Sequence, residues 1–212
     1  VSESCKRLSD VIRFHVGYEK KCVSSTSCCS LLSGSPILNK TPIGFEDFPN
    51  AKDSDLSLLS GVRHVELWGN MNITDEGLKV ICGVRHLSVC ECHGITDKGI
   101  VHLAKHLKYI YLMDVPGVTT SGLKALAGIP RIELPRINNL TDDVLLALAG
   151  VHTIDLRRCT LITDKGISAL EGVHTVNLEA CELITDEGVK ALSGVHTIDL
   201  SYINVTDEGI KA

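Results

Sequence analysis

A phrase of about 22 residues recurs along most of this chain and constrains its fold more than any other feature. Copies begin at positions 61, 83, 106, 128, 150, 172 and 194. The copies from 150 and 172 read GVHTIDLRRCTLITDKGISALE and GVHTVNLEACELITDEGVKALS. A period of this length indicates a solenoid, in which stacked neighbours bury a core that no single unit could bury alone.

The repeat predicts where the chain divides. Residues 61–193 hold six full units, 194–212 hold a clipped seventh, and 53–60 (DSDLSLLS) match the second half of a unit. Residues 1–50 do not follow the repeat, although residues 4–16 have the apolar spacing of a helix. We therefore expect an N-terminal helical or irregular cap over residues 1–50 and a repeat domain over 51–212. Residues 39–50 read as loop or short helix.

Each unit begins with a strand signal. In the fifth unit Ile154 and Leu156 are apolar and two residues apart. This alternation predicts a short strand with one face buried. Strands at the same place in successive units would then form one parallel sheet.

Each unit ends with a helix signal. Thr163 is a natural N-cap, and Asp164 in the first turn favours the positive end of the helix dipole. Ile167 and Leu170 lie on one helical face, and Gly172 provides the turn into the next strand. The pattern predicts about two turns of helix in each unit.

These phrases resemble the leucine-rich-repeat pattern L-x-x-L-x-L-x-x-N/C-x-L over about 160 of the 212 residues. The fifth unit supplies Val151, Ile154, Leu156, Cys159 and Ile162 at the pattern's positions. Its cysteine and the following I-T-D phrase resemble the cysteine-containing repeats of F-box–leucine-rich-repeat proteins. The resemblance implies a right-handed α/β solenoid, a horseshoe with a parallel sheet on the concave face and short helices on the convex face.

The position of Cys159 varies between units. It is occupied by Asn70, Val115, Ile137 and Ile203 elsewhere. Asn and Cys can hydrogen-bond the backbone of the turn, whereas Val and Ile can only pack there.

The concave strands present three outward columns of side chains; the first half of these columns carries His, Tyr, Trp and Met, and the second half carries Thr, Asp and Arg. The chain has only eight aromatic residues, so exposed rings there are typical of an interaction hot spot. The alternative is that these side chains have no binding role: any solenoid face carries exposed side chains, and a column of threonines favours strand formation. The predicted partner-binding residues are Glu66, Trp68, His86, Tyr109, Tyr111, Met113, Glu133, Asp155 and Arg157.

Composition argues against several classes of function. The net charge of −5 does not suit a nucleic-acid-binding chain, and no apolar run is long enough to span a membrane. No phosphate-binding glycine loop or nucleophile elbow occurs, so we expect neither an enzyme nor a cofactor. His152, His174 and His196 form a column, but side chains stacked in register run parallel rather than converging on a metal.

The nine cysteines form no regular framework. Cys92, Cys159 and Cys181 share one repeat position, which favours free buried thiols in a reducing compartment. The redox state of the N-terminal cysteines stays open; these are Cys5, Cys22, Cys28 and Cys29.

The resemblance implies a module that binds another protein. Its specific form would be the cytoplasmic substrate-recognition part of an SCF-type ubiquitin ligase, with an adaptor of that ligase as a further partner. The opening VSESCKRL resembles the closing helix of an F-box. The alternative is a secreted or surface-exposed recognition receptor.

The seventh unit stops within its helix. We expect the apolar sides of Ile198, Leu200 and Ile210 to be partly open there. Two outcomes follow: the natural protein continues with further repeats, or this edge self-associates with another copy of the chain.

Overall fold

The strand halves of the units form one parallel sheet. The computed structural model describes residues 43–44, 51–59, 61–81 and 83–210, and in them eight strands pair in chain order. The strands are β1 (Ile43–Gly44), β2 (His64–Trp68), β3 (His86–Cys90), β4 (Tyr109–Met113), β5 (Arg131–Glu133), β6 (Thr153–Asp155), β7 (Thr175–Asn177) and β8 (Thr197–Asp199). This confirms the α/β leucine-rich-repeat solenoid expected from the repeat.

The helix halves of the units pack against one side of the sheet. They are α1 (Asp53–Leu56), α2 (Asp75–Val80), α3 (Asp97–Ala104), α4 (Thr120–Lys124), α5 (Asp142–Ala147), α6 (Asp164–Ile167), α7 (Asp186–Lys190) and α8 (Asp207–Ile210). Several are shorter than the two turns predicted. In α6, for example, the helix tightens after one turn into the 3-10 segment Ser168–Leu170. In none of the described ranges does a helix have the length and apolar character that crossing a bilayer requires.

The core is a set of aliphatic ladders between sheet and helices. Ile132 pairs with Ile154, which pairs with Val176, and all three are buried. Ile167 and Leu170 are buried on the helical side, as their spacing predicted.

Strand β1 was not predicted. Ile43 and Gly44 pair in parallel with Val65 and Glu66, inside the stretch read as loop or short helix. The edge of β2 supplies the hydrogen-bonding groups for such a pairing, so it does not require the repeat phrase. The division at residue 50 remains a prediction, and the predicted helix over residues 4–16 lies outside the described residues.

Aspartates tie six of the helices to the next unit. Thr96 donates its backbone N–H to Asp75 Oδ1 at 2.8 Å and its hydroxyl to Asp75 Oδ2 at 2.6 Å. We call this pair of bonds the Asp–Thr clamp. It joins Asp53 to Thr74, Asp75 to Thr96, Asp97 to Thr119, Asp142 to Thr163, Asp164 to Thr185, and Asp186 to Thr206.

The clamp refines the predicted capping. Thr163 occupies the N-cap, as expected, but its hydroxyl makes no capping bond to its own helix. It donates to Asp142 instead. Asp164, expected to serve the helix dipole, also accepts two hydrogen bonds from Thr185 of the next unit.

The clamp is interrupted between α4 and α5. Thr120 stands where the other units have aspartate, and Thr141 makes no side-chain capping bond. Three residues after its N-cap Thr141, α5 has Val144, whereas the other full units have glycine at the corresponding position. A Cβ added at Gly122 would overlap the Asp97 carboxylate. The glycine is therefore required where the preceding unit carries the aspartate, and valine fits where it does not.

Cysteine and asparagine at the variable turn position hydrogen-bond the backbone, as their residue types predicted. Cys159 donates its thiol to Leu134 O at 3.2 Å, and Cys181 donates to Leu156 O at 3.1 Å. Asn70 Nδ2 donates to Trp68 O at 2.8 Å. Burial raises the pKa of Cys159 to about 12 and that of Cys181 to about 11.

Cys159 and Cys181 should therefore be inert in the folded chain. Both are fully buried, and thiol reagents react with the thiolate, whose formation the raised pKa values suppress. We expect labelling by a maleimide at neutral pH only after denaturant is added, with modified peptides identified by mass spectrometry. Rapid labelling of both cysteines in the native chain would contradict their placement.

At the last described unit the expected apolar residues are partly open. Ile198 and Leu200 are half-buried, and Ile210 is 63% exposed.

Candidate functional site

The outward columns of the sheet align in register as predicted. The first runs through His64, His86, Tyr109, Arg131, Thr153, Thr175 and Thr197. The second runs through Glu66, Ser88, Tyr111, Glu133, Asp155, Asn177 and Asp199. The third begins with Trp68, Cys90 and Met113. The parallel pairing thus brings eight of the nine predicted site residues onto one face, and Arg157, which follows β6, contacts one of them, Asp155.

Two large rings from β2 and β4 face each other across β3. The Trp68 and Tyr111 rings are parallel within 2°, with centroids 6.4 Å apart. Between their strands β3 carries the small residues Ser88 and Cys90, which are 6% and 3% exposed. Both lie in the outward columns, as expected, but neither is open to solvent. Rings from both neighbouring strands cover them, and burial raises the pKa of Cys90 to about 11.

Tyr109 is held by its neighbours on β5. Its hydroxyl donates to Glu133 Oε2 at 3.2 Å, and the Arg131 guanidinium lies 5.2 Å from the ring centroid. Arg131 also donates to Glu133 Oε1 through Nη2 at 2.7 Å and Nε at 3.0 Å. Burial, followed by the adjacent Glu133, raises the pKa of Tyr109 well above its ordinary value. The ring is therefore positioned before any partner arrives.

The remaining residues of this half surround the rings. The Tyr111 hydroxyl donates to Met113 Sδ at 3.2 Å. His86 lies between His64 and Tyr109, with ring centroids 5.1 and 5.9 Å away. The pKa of His86 is lowered by desolvation, and then by His64 and by the positive charge of Arg131.

The second half of the face is occupied by polar pairs. Arg157 Nε lies 2.8 Å from Asp155 Oδ2, and Asn177 donates to Asp199 at 3.3 Å. The hydrogen bond to Asp155 raises the pKa of Arg157. Because these polar groups already pair with one another, this half offers fewer groups free for a partner. Such surface pairs also contribute little to stability or affinity.

The histidine column stacks as expected. His174 lies 4.7 Å from His152 and 4.6 Å from His196 between ring centroids, with planes 11° and 13° apart. Each Nδ1 lies within hydrogen-bond distance of the following threonine hydroxyl. In the part of the chain that the structure describes, no cluster of three or more His, Cys, Asp or Glu residues could hold a metal ion.

Residues 151–170 and 173–193 match the family described as Leucine Rich repeat. These two stretches are similar to that family, and the chain has the fold of a leucine-rich-repeat solenoid. A search of curated protein sequences finds no match.

Two solved structures share the leucine-rich-repeat fold. An internalin (inlF) from Listeria monocytogenes superposes with a TM-score of 0.59 at 14% identity, covering 94% of this chain and 70% of that one. A chain of the yeast Rad7 and Elc1 complex superposes with a TM-score of 0.51 at 16% identity, covering 72% of this chain. This chain spans only 54% of the yeast chain's length. At these identities the likeness establishes the fold alone.

The side-chain partners within the concave face could not be read from the repeat. The register placed Tyr109 beside Arg131, but the bonds of both residues to Glu133 depend on rotamers. One usable signal was in the sequence: two small residues on β3 lie between strands that carry large rings.

Proposed function

We propose that this chain is a non-enzymatic module that binds another protein through Trp68, Tyr109, Tyr111 and Met113, which we call the aromatic patch. The parallel Trp68 and Tyr111 rings carry the proposal. Trp68 is 39% exposed on a sheet whose strands fix its position. A large, ordered ring that is open to solvent gains apolar contact on binding at a small cost in conformational entropy.

The surroundings of the aromatic patch fit this use. Glu66, His86 and Glu133 border it, and Asp155 with Arg157 extends the polar surface into the second half. An apolar centre with a polar border is the usual anatomy of a protein–protein interface.

In its specific form the proposal is the substrate-recognition part of a cytoplasmic SCF-type ubiquitin ligase. The cysteine-containing repeats and the VSESCKRL opening support it by resemblance. The four cysteines in the described regions whose state is defined, Cys90, Cys92, Cys159 and Cys181, are free thiols, which suits a reducing compartment. The yeast structure that shares the fold is a complex of Rad7 with Elc1.

The alternative, a secreted or surface-exposed receptor, makes a different prediction for the N-terminal cysteines. A disulfide among Cys5, Cys22, Cys28 and Cys29, or a glycan on Asn39, would support it. Titration of the denatured, unreduced chain that finds nine free thiols would support the intracellular form.

The aromatic patch is tested by replacing Trp68, Tyr109 and Tyr111 with alanine. We expect partner binding to weaken by more than about tenfold, because truncated hot-spot rings commonly cost more than 1.4 kcal/mol. Partners are captured with the immobilised chain, identified by mass spectrometry and then titrated in purified form. Recovery of ligase adaptors would support the specific form.

The matched control replaces the convex residues Lys165 and Lys190 with alanine. The circular dichroism spectrum and the melting temperature of each variant show whether it is folded. If the convex variant loses binding as strongly as the aromatic variant, the concave face is the wrong surface.

A further inference from the structure

The N-terminal ends of β2, β3 and β4, next to the aromatic patch, carry exposed cations. The three connections entering β2, β3 and β4 read GVRH, GVRH and KHLKY and contain no Asp or Glu. Their cationic residues, Arg63, Arg85, Lys105 and Lys108, are all exposed. We call these four residues the basic rim.

The backbone holds the basic rim in register. Arg85 N donates to Arg63 O at 2.8 Å, and Lys108 N donates to Arg85 O at 2.7 Å. Consecutive cations therefore extend from neighbouring strands, which lie about 4.8 Å apart. Three positive side chains follow one another across the first three full units.

These charges are not neutralised within the described ranges of the chain. The ion pairs found there involve other cations: His64, Lys79, Arg131, Arg157, Arg158 and Lys190. Arg85 Nη1 donates to His106 O at 2.9 Å, but a carbonyl does not cancel its charge. A row of adjacent like charges disfavours the fold, and an anionic partner relieves that repulsion.

The C-terminal ends of two of these strands are followed by acidic residues. Glu91 and Asp114 follow β3 and β4 and are exposed. A five-residue strand spans only about 13 Å between its end Cα atoms, so the aromatic patch lies within reach of both ends. Across β2 to β4 the surface thus runs from basic to aromatic to acidic.

We propose that the basic rim binds a carboxylate-rich segment of the protein partner, and that an apolar residue adjoining this segment reaches the aromatic patch. The proposal rests on the proposed function, since it names the chemistry of the partner for the same face. It commits to an acidic polypeptide, because a bare polyanion would leave the adjacent rings unused.

The probe is a fluorescein-labelled synthetic peptide with a run of glutamates followed by a tryptophan, measured by fluorescence anisotropy at low salt. The test variant is Arg63→Glu, Arg85→Glu and Lys108→Glu combined. The matched control is Lys98→Glu, Lys124→Glu and Lys165→Glu, which changes the net charge equally at exposed helix positions. We expect the rim variant to lose at least about tenfold in affinity and the control less than about threefold.

Two further arms sharpen the test. The variant Glu91→Lys with Asp114→Lys, at the acidic ends, should bind the peptide at least as tightly as the natural chain. Both positions have left-handed backbone, but Arg136 and Arg158 occupy the same conformation, so a long cation is tolerated. Replacing the peptide's tryptophan with glycine should weaken binding to the natural chain but not to the Trp68→Ala, Tyr111→Ala variant.

Several results would overturn the proposal. The first is that the natural chain does not bind the peptide. The second is that the rim variant and the lysine control variant lose equal peptide affinity. The third is that inorganic polyphosphate binds the natural chain as tightly as the peptide does. The two hypotheses fail separately. If the alanine variant of the aromatic patch loses the captured partner while the rim variant keeps it, the proposed function stands and the rim proposal is wrong.

Discussion

Replacing Gly122 with valine should destabilise the chain by about 3 kcal/mol, although valine occupies the equivalent position 144 in the next unit. An added Cβ would lie 3.0 Å from Asp97 Cγ and closer still to Oδ1. That carboxylate accepts bonds from Thr119 N at 2.7 Å and from its hydroxyl at 2.6 Å. It must move away, so the substitution removes the clamp as well as crowding the interface. Urea unfolding followed by circular dichroism measures the loss.

The natural exception supplies the control. Asp97→Thr combined with Gly122→Val reproduces the pair Thr120 and Val144, and Val144 is fully buried without an aspartate beside it. Asp97→Thr alone should cost about 1–2 kcal/mol through the lost hydrogen bonds. In the double variant the valine should add little to that cost. If the two effects instead sum, the glycine is needed for a reason other than the aspartate.

Leu156→Ala should destabilise the chain by about 2–5 kcal/mol, and Ile154→Ala by a similar amount. Leu156 is fully buried and Ile154 is 1% exposed, so each truncation leaves a cavity between stacked units. Leu161→Ala is the matched control, because Leu161 is 49% exposed and loses little buried surface. Urea midpoints and slopes for the three variants give the comparison. A cost at Leu161 equal to that at Leu156 would contradict the assignment of the core.

The fold could be predicted because seven approximate copies report the same local preferences. A single copy of Ile154-x-Leu156 is too short to distinguish a strand from a buried helix segment. Recurrence at a fixed spacing resolves that ambiguity and also sets the register, so the columns were correct. Strand β1 was not found, because Ile43 and Gly44 carry no copy of the phrase.

The surface was harder to predict, because its properties depend on side-chain conformations rather than on register. The sequence places Cys90 in an outward column, and only the rings of neighbouring strands explain its burial. The clamp was overlooked for a different reason. Asp164 was interpreted within its own helix, whereas it also accepts two hydrogen bonds from Thr185 of the next unit. The replacement of Asp by Thr120 and of Gly by Val144 was the signal for it.

The clamp is missing between α4 and α5, and we expect the horseshoe to bend most easily at this junction. Elsewhere one carboxylate accepts two hydrogen bonds, which resist separation of the helices. At this junction Asn139 Nδ2 donates to Val118 O at 2.9 Å, which provides a single neutral bond in their place. The sheet pairs Tyr111 with Glu133 directly opposite this junction. We therefore expect any change in curvature to be concentrated at the boundary between the aromatic half and the polar half, with the packing within each half intact.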